Sequence, residues 1–108
     1  MAKTKDKKLQ EITAVLKKEL RPTRLFLFGS RSNGTHKADS DYDFVVVTKR
    51  PKKDHIGQMS DARDILREKC GVSADVFIYS QKEFDEWKDE LSSIPETALN
   101  TGIEIDLG

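Results

Sequence analysis

Residues 25–47 of this chain have the sequence LFLFGSRSNGTHKADSDYDFVVV, in which two apolar runs flank a polar segment that contains two glycines. The first run ends at Gly29-Ser30. Ten residues separate Ser30 from Asp41, and Asp41 and Asp43 stand at the start of the second run. Each apolar run predicts a short buried strand, and the glycine-containing segment between them predicts a turn. Because strand side chains alternate between the two faces, we expect Asp41 and Asp43 to share one face of the second strand.

These two carboxylates predict a binding site for a divalent cation. Along a strand they would lie about 6 to 7 Å apart, and ionised carboxylates that close repel each other. A divalent cation removes the repulsion, and all-oxygen ligands favour Mg²⁺ or Mn²⁺ over zinc. Asp75 lies in an otherwise apolar segment, where an unpaired charge is costly, and is a further candidate ligand. Each aspartate taken alone is more simply a turn or cap residue, but three at strand ends are typical of a two-metal site.

The turn after the first strand predicts a phosphate-binding segment. Gly29 can adopt a positive φ and lets the backbone approach a ligand closely. Ser30 opens a turn whose N–H groups can face phosphate oxygens. Arg31 suits two roles equally well, contact with a phosphate or pairing with an acidic neighbour. A phosphate-binding turn beside magnesium-binding carboxylates indicates a site for a metal-bound nucleotide.

Size and composition narrow the class of protein. A chain of 108 residues predicts a single domain over residues 1–108, with room for one sheet and helices on one side. The 19 basic and 19 acidic side chains balance, which argues against non-specific nucleic-acid binding. The single cysteine, Cys70, excludes an intramolecular disulfide and is expected to be a packed thiol at a helix end. The sequence has no apolar run of about 18 residues and no signal-peptide core, so we expect a cytoplasmic protein without a membrane span.

Hydrophobic periodicity predicts an α+β fold, a small mixed sheet flanked by helices. Asp54 could cap a long helix that Gly71 ends, and Ser80 with Glu83 has the spacing of a capping box. Trp87, three residues after Phe84, is expected either in the core or on a partner-facing patch. Helices are predicted over residues 5–20, 55–70, 81–89 and 93–100, and strands over residues 24–29, 42–48, 72–79 and 103–107.

The signature of Gly29-Ser30, ten residues, and Asp41-x-Asp43 resembles that of the minimal nucleotidyltransferases of the polymerase-β superfamily. The signature is specific for that superfamily, and the similarity covers almost the whole chain. One departure is Asn33, which stands before the second glycine of the loop where many members carry arginine. The resemblance implies a polymerase-β-like nucleotidyltransferase fold and the use of ATP or another nucleoside triphosphate with Mg²⁺.

The resemblance also implies a role for each matching residue. Asp41 and Asp43 would hold both of two Mg²⁺ ions, and Asp75 would complete the site nearest the attacking hydroxyl and help to deprotonate it. Gly29 and Ser30 would hold the β- and γ-phosphates. The hydroxyl would attack the α-phosphorus, and pyrophosphate would leave.

Stand-alone minimal members resemble the antitoxin half of toxin–antitoxin pairs, whose partner is a helical HEPN-type ribonuclease. The resemblance therefore implies transfer of AMP to a tyrosine hydroxyl of such a partner, which silences it. The small size of the chain agrees with a protein acceptor that supplies much of the binding surface. An alternative is an antitoxin that neutralises its partner by binding alone, with a weak or vestigial active site. A third is transfer to a small molecule or nucleic acid through an associated subunit.

Overall fold

The computed structural model describes residues 7–29, 41–49 and 55–107 of the protein. Helices and strands follow one another in the order α1 (Lys7–Leu20), β1 (Arg24–Phe28), β2 (Tyr42–Thr48), α2 (His55–Cys70), β3 (Ala74–Ser80), α3 (Gln81–Trp87), α4 (Ile94–Thr101) and β4 (Ile103–Glu104). Every helix and strand predicted from the sequence has a counterpart within this part of the chain.

The strands form one sheet in the order β3-β2-β1-β4. β2 is parallel to β3 and antiparallel to β1, and β1 also pairs antiparallel with β4. This mixed sheet flanked by helices confirms the predicted α+β fold. The strand predicted over residues 103–107 pairs as a strand only at Ile103–Glu104, and Ile105 adds one N–H bond of 2.8 Å to the Leu25 carbonyl.

Helices cover both faces of the sheet. On one face, α1 and α2 contribute Ile12 and Leu66 to an apolar cluster, and on the other α3 and α4 contribute Phe84 and Ala98 to a second one. The expectation of helices on one side only was therefore wrong. Its physical reason lies in β2, where residues 44–47 are all fully buried, as in a strand that is covered on both faces.

Local capping interactions set the ends of the helices. The Ser80 hydroxyl accepts a hydrogen bond from the Glu83 N–H at 3.0 Å, and the Glu83 carboxylate accepts one from the Ser80 N–H at 2.9 Å. This confirms the predicted capping box. Gly71 follows α2 with a φ of 67°, as predicted for a helix-ending glycine. The proposed cap at Asp54 lies outside the described residues.

The side chains of α2 and α3 settle two further predictions. Cys70 is buried at the end of α2, as expected of a packed thiol. Phe84 is fully buried and its ring stacks on that of Phe26, whereas Trp87 is 50% exposed. The core alternative for Trp87 is therefore wrong, because α3 ends at this residue and its ring has no second layer to enter.

In the part of the chain that is described, no helix is long and apolar enough to cross a membrane.

An ion pair fastens β4 to β1. Arg24 donates from Nε and Nη2 to the two carboxylate oxygens of Glu104, at 3.0 and 2.8 Å. The guanidinium also lies over the rings of Phe26 and Phe84, 4.9 and 5.4 Å from their centroids. The hydrogen bonds from Arg24 lower the pKa of Glu104, so the short edge strand is held by a charge-assisted contact rather than by its length.

Candidate active site

One end of the sheet brings two of the predicted carboxylates into register. Asp43 pairs with Asp75 across the parallel β2–β3 ladder and with Phe28 across the antiparallel β1–β2 ladder. Register partners in adjacent strands project to the same face of a sheet. Phe28, Asp43 and Asp75 therefore form one row across three strands. Asp41 is exposed and directly precedes β2, at the same end of the sheet.

Gly29 lies directly against the Asp43 carboxylate. Its φ is 76°, a left-handed conformation that favours glycine, and a Cβ built on it would stand 2.6 Å from Asp43 Oδ2. Any side chain at position 29 would displace this oxygen. The backbone of the turn and the Asp43 carboxylate are therefore in close contact.

The electrostatics of this row centre on Asp43. Burial raises the pKa of Asp43, and the charges of Asp75 and then Asp41 raise it further. Three negative side chains therefore act on one another at this end of the sheet, and a cation would relieve their repulsion. Oxygen ligands of this kind suit Mg²⁺, so the chemistry of the donor set fits the ion that the sequence predicts.

Asp75 is engaged by a cation from the protein itself. Arg63 Nε, on α2, lies 3.7 Å from Asp75 Oδ1, and the two side chains are 51% and 45% exposed. Within residues 7–29, 41–49 and 55–107, no three His, Cys, Asp or Glu side chains are arranged as a ready metal site. Ligation through all three aspartates requires Asp75 to leave Arg63, and separating so exposed an ion pair costs about 1 kcal/mol or less.

The described residues include part of the predicted site and one group that sequence reasoning missed. Ser30 and Arg31 lie outside them, so their predicted contacts with phosphate stay predictions, as do the metal-binding roles of the three aspartates. The missed group is Arg63. Its place among the charged residues of α2 gives no sequence signal, because the contact with Asp75 forms only through the packing of α2 beside β3.

A separate hollow of about 640 Å³ opens at the opposite end of the sheet. Arg21, Thr48 and Lys49 contribute to its lining. Thr48 lies five residues after Asp43 along β2, a distance of roughly 17 Å. The hollow is therefore not part of the aspartate site.

Comparison with known proteins assigns the chain to a family. No curated protein matches the chain. Residues 9–107 match the family described as the nucleotidyltransferase domain, a span that runs from α1 through β4 and includes Gly29 and all three aspartates. With this match over nearly its full length, and with the mixed sheet and glycine–aspartate junction described above, the chain belongs to the nucleotidyltransferase domain family.

Proposed function

We propose that this nucleotidyltransferase domain transfers AMP from ATP to a tyrosine hydroxyl of a cognate helical HEPN-type toxin in the cytoplasm, and so acts as its antitoxin. The observation that carries the proposal is the meeting of Gly29, Asp43 and Asp75 at one end of the sheet. Membership of the nucleotidyltransferase family supports the reaction type. The resemblance to minimal nucleotidyltransferases supports the choice of donor and acceptor.

Each residue has a defined task in the proposed reaction. Asp41 and Asp43 are the carboxylate ligands for Mg²⁺, which would neutralise phosphate charge and favour the ionised form of the attacking hydroxyl. Asp75 takes up the proton that the tyrosine hydroxyl loses as its oxygen bonds to the α-phosphorus. The backbone amides of Gly29 and Ser30 bind the β- and γ-phosphates. The bond from the α-phosphorus to the bridging oxygen breaks, and pyrophosphate leaves.

The raised pKa of Asp43 supports this assignment. Burial is the largest cause of this shift and the charges of Asp75 and Asp41 add to it, so a bound cation, whose attraction offsets both effects, would stabilise the ionised form of Asp43. A merely structural aspartate in a strand is expected to have a hydrogen-bonding or cationic partner that lowers its pKa. Asp43 shows the opposite direction of shift.

One observation favours the second candidate, an antitoxin that neutralises its partner by binding alone. Asp75 is held by Arg63, and the described residues contain no ready group of three metal ligands. A domain with a vestigial site would keep its fold and its partner-binding surface while the third carboxylate served a structural ion pair. The experiment below distinguishes the two candidates.

The test measures transfer of label from ATP radiolabelled at the α-phosphate to a helical protein that co-purifies with the domain. Asp43→Asn should lower the labelling rate by about a hundredfold or more, because loss of a metal ligand removes several kcal/mol of transition-state stabilisation. Asp64→Asn is the matched control, since Asp64 is an exposed aspartate on α2. It should label the acceptor as the natural sequence does.

Three outcomes are decisive. Loss of labelling in Asp43→Asn but not in Asp64→Asn, with intact-mass spectrometry showing AMP on the acceptor, supports the enzyme. Labelling that survives the double change Asp41→Asn with Asp43→Asn overturns it. If labelling disappears in Asp43→Asn while the acceptor stays inhibited, neutralisation by binding explains the antitoxin effect.

A further inference from the structure

An aromatic surface adjoins the aspartate row on the same face of the sheet. Phe28 belongs to that row, as the register partner of Asp43. Phe77 follows Asp75 by two residues in β3, so its side chain projects from the same face, roughly 7 Å further along the strand. Both side chains are partly buried and pack at the border of the apolar cluster beneath α3 and α4. The two ring centroids are 6.1 Å apart, with an interplanar angle of 48°.

Phe28 and Phe77 are less buried than the aromatic pair at the centre of this cluster. That pair is Phe26 of β1 with Phe84 of α3, whose rings are fully buried and stack 5.4 Å apart. Phe28 and Phe77 lie outside that pair and keep part of their surface exposed next to Asp43 and Asp75. These partly exposed rings beside charged carboxylates are accessible to a ligand bound at the aspartate row.

We propose that Phe28 and Phe77 form a stacking platform for the base of the nucleoside triphosphate, in which the base stacks on one ring and touches the other ring, tilted by 48°, at its edge. The inference rests on the proposed function, which places the phosphates at Gly29 and the aspartates. A nucleotide held there by its phosphates reaches the next row of the strand with its sugar and base, and that row presents Phe77. Aromatic rings stack on bases through their π-faces, whatever hydrogen-bonding pattern the base carries.

This mode of binding has a consequence for specificity. Stacking senses the area of a base rather than its edge, so purines should bind more tightly than pyrimidines. The platform offers no hydrogen-bonding group that separates adenine from guanine. ATP and GTP should therefore bind with similar affinity, and both more tightly than CTP or UTP.

The experiment compares ATP with inorganic tripolyphosphate, each titrated with Mg²⁺ into the purified domain by calorimetry. Tripolyphosphate has the charges of the nucleotide without its base, so it reports the phosphate and metal site alone. Phe77→Leu and Phe28→Leu should each weaken ATP binding about fivefold or more. Neither should change tripolyphosphate binding. The unchanged tripolyphosphate affinity also verifies that each variant is folded with an intact site.

The matched control is Tyr79→Leu. Tyr79 lies on the same face of β3 and borders the same apolar cluster, but it is four residues, roughly 13 Å, from Asp75. It should leave ATP affinity unchanged. Equal affinity of the natural domain for ATP and tripolyphosphate, or normal ATP binding by both phenylalanine variants, overturns the platform and leaves the proposed function standing. Absence of binding for both ligands overturns the proposed function and the platform together.

Discussion

Gly29 and Asp43 constrain each other at the scale of single residues. A methyl group at position 29 would meet Asp43 Oδ2, which is the end of a short side chain that can rotate away. We therefore expect Gly29→Ala to move the carboxylate rather than to unfold the protein. The left-handed backbone at this position adds about 1 kcal/mol of destabilisation.

The matched variant for this prediction is Gly71→Ala. Gly71 also has a positive φ, of 67°, but a Cβ there would meet nothing within 4 Å. Thermal unfolding should show a similar loss of stability, about 1 kcal/mol, in both variants. Nucleotidyl transfer should fall sharply in Gly29→Ala and stay normal in Gly71→Ala. Equal activity of the two variants would show that the contact between Gly29 and Asp43 has no functional role.

Asp43 should make the metal-free domain less stable at neutral pH. Its pKa is raised in the folded state, so ionising it costs more in the folded than in the unfolded chain. The contribution of Asp43 to the free energy of unfolding is therefore most favourable below the ordinary pKa of 3.8. It declines as the pH rises from there through the raised pKa of the folded state. Asp43→Asn should remove this loss of stability, because asparagine does not ionise.

The measurement is the melting temperature of both proteins without divalent cations. At pH 7 the Asn variant should be the more stable, by under about 1 kcal/mol after allowance for solvent screening. At pH 3 the difference should vanish. A variant that is less stable than the natural sequence at pH 7 would mean that Asp43 has a structural partner, contrary to the metal-ligand assignment.

At the scale of elements, the pairing of Arg24 with Glu104 helps to hold β4 on the sheet. The pKa of Glu104 is lowered by its hydrogen bonds from Arg24, so its stabilisation is fully present above the ordinary value of 4.5. It is lost as the pH falls from 4.5 through the lowered folded pKa. Glu104→Gln should cost about 1 kcal/mol at pH 7 and progressively less in acid, as followed by urea unfolding.

Glu86→Gln is the control for this prediction, because Glu86 is an exposed glutamate on α3. It should change the free energy of unfolding by less than about 0.5 kcal/mol. A cost for Glu104→Gln that stays constant down to pH 3 would show that packing of the side chain, rather than its charge, fastens β4.

Elements with local causes could be predicted from the sequence. The capping box of Ser80 and Glu83 depends on residues three apart, and the alternation of apolar runs and helical periodicity fixed the order of strands and helices. The sequence of residues 44–47 also indicates that both faces of the sheet are covered. Four consecutive apolar residues follow Asp43 there, without the alternation of polar and apolar residues that a half-exposed strand shows. This apolar run therefore predicts a layer of helices on each face of the sheet.

At the scale of the whole molecule, contacts between distant segments escape such reasoning. The proximity of Asp43 and Asp75 could be anticipated, since a helix between two strands favours a parallel pair with both strand starts at one end. The Arg63–Asp75 ion pair could not, because it depends on how α2 packs beside β3 in three dimensions. The exposure of Trp87 likewise depends on where α3 ends relative to the sheet, which its three-residue spacing from Phe84 does not determine.

In the strand order β3-β2-β1-β4, the aspartates belong to strands that differ in how readily they open locally to water. β2 has hydrogen-bonded neighbours on both sides, whereas among the described strands β3 pairs on one side only. Outer strands open to water more readily than inner ones. Asp75 lies on the outer strand β3. Asp43 lies on the inner strand β2, and Asp41 directly precedes that strand. Warming the protein should therefore separate Asp75 from Asp43 first, so that the proposed nucleotidyl transfer is lost at temperatures where most of the chain is still folded.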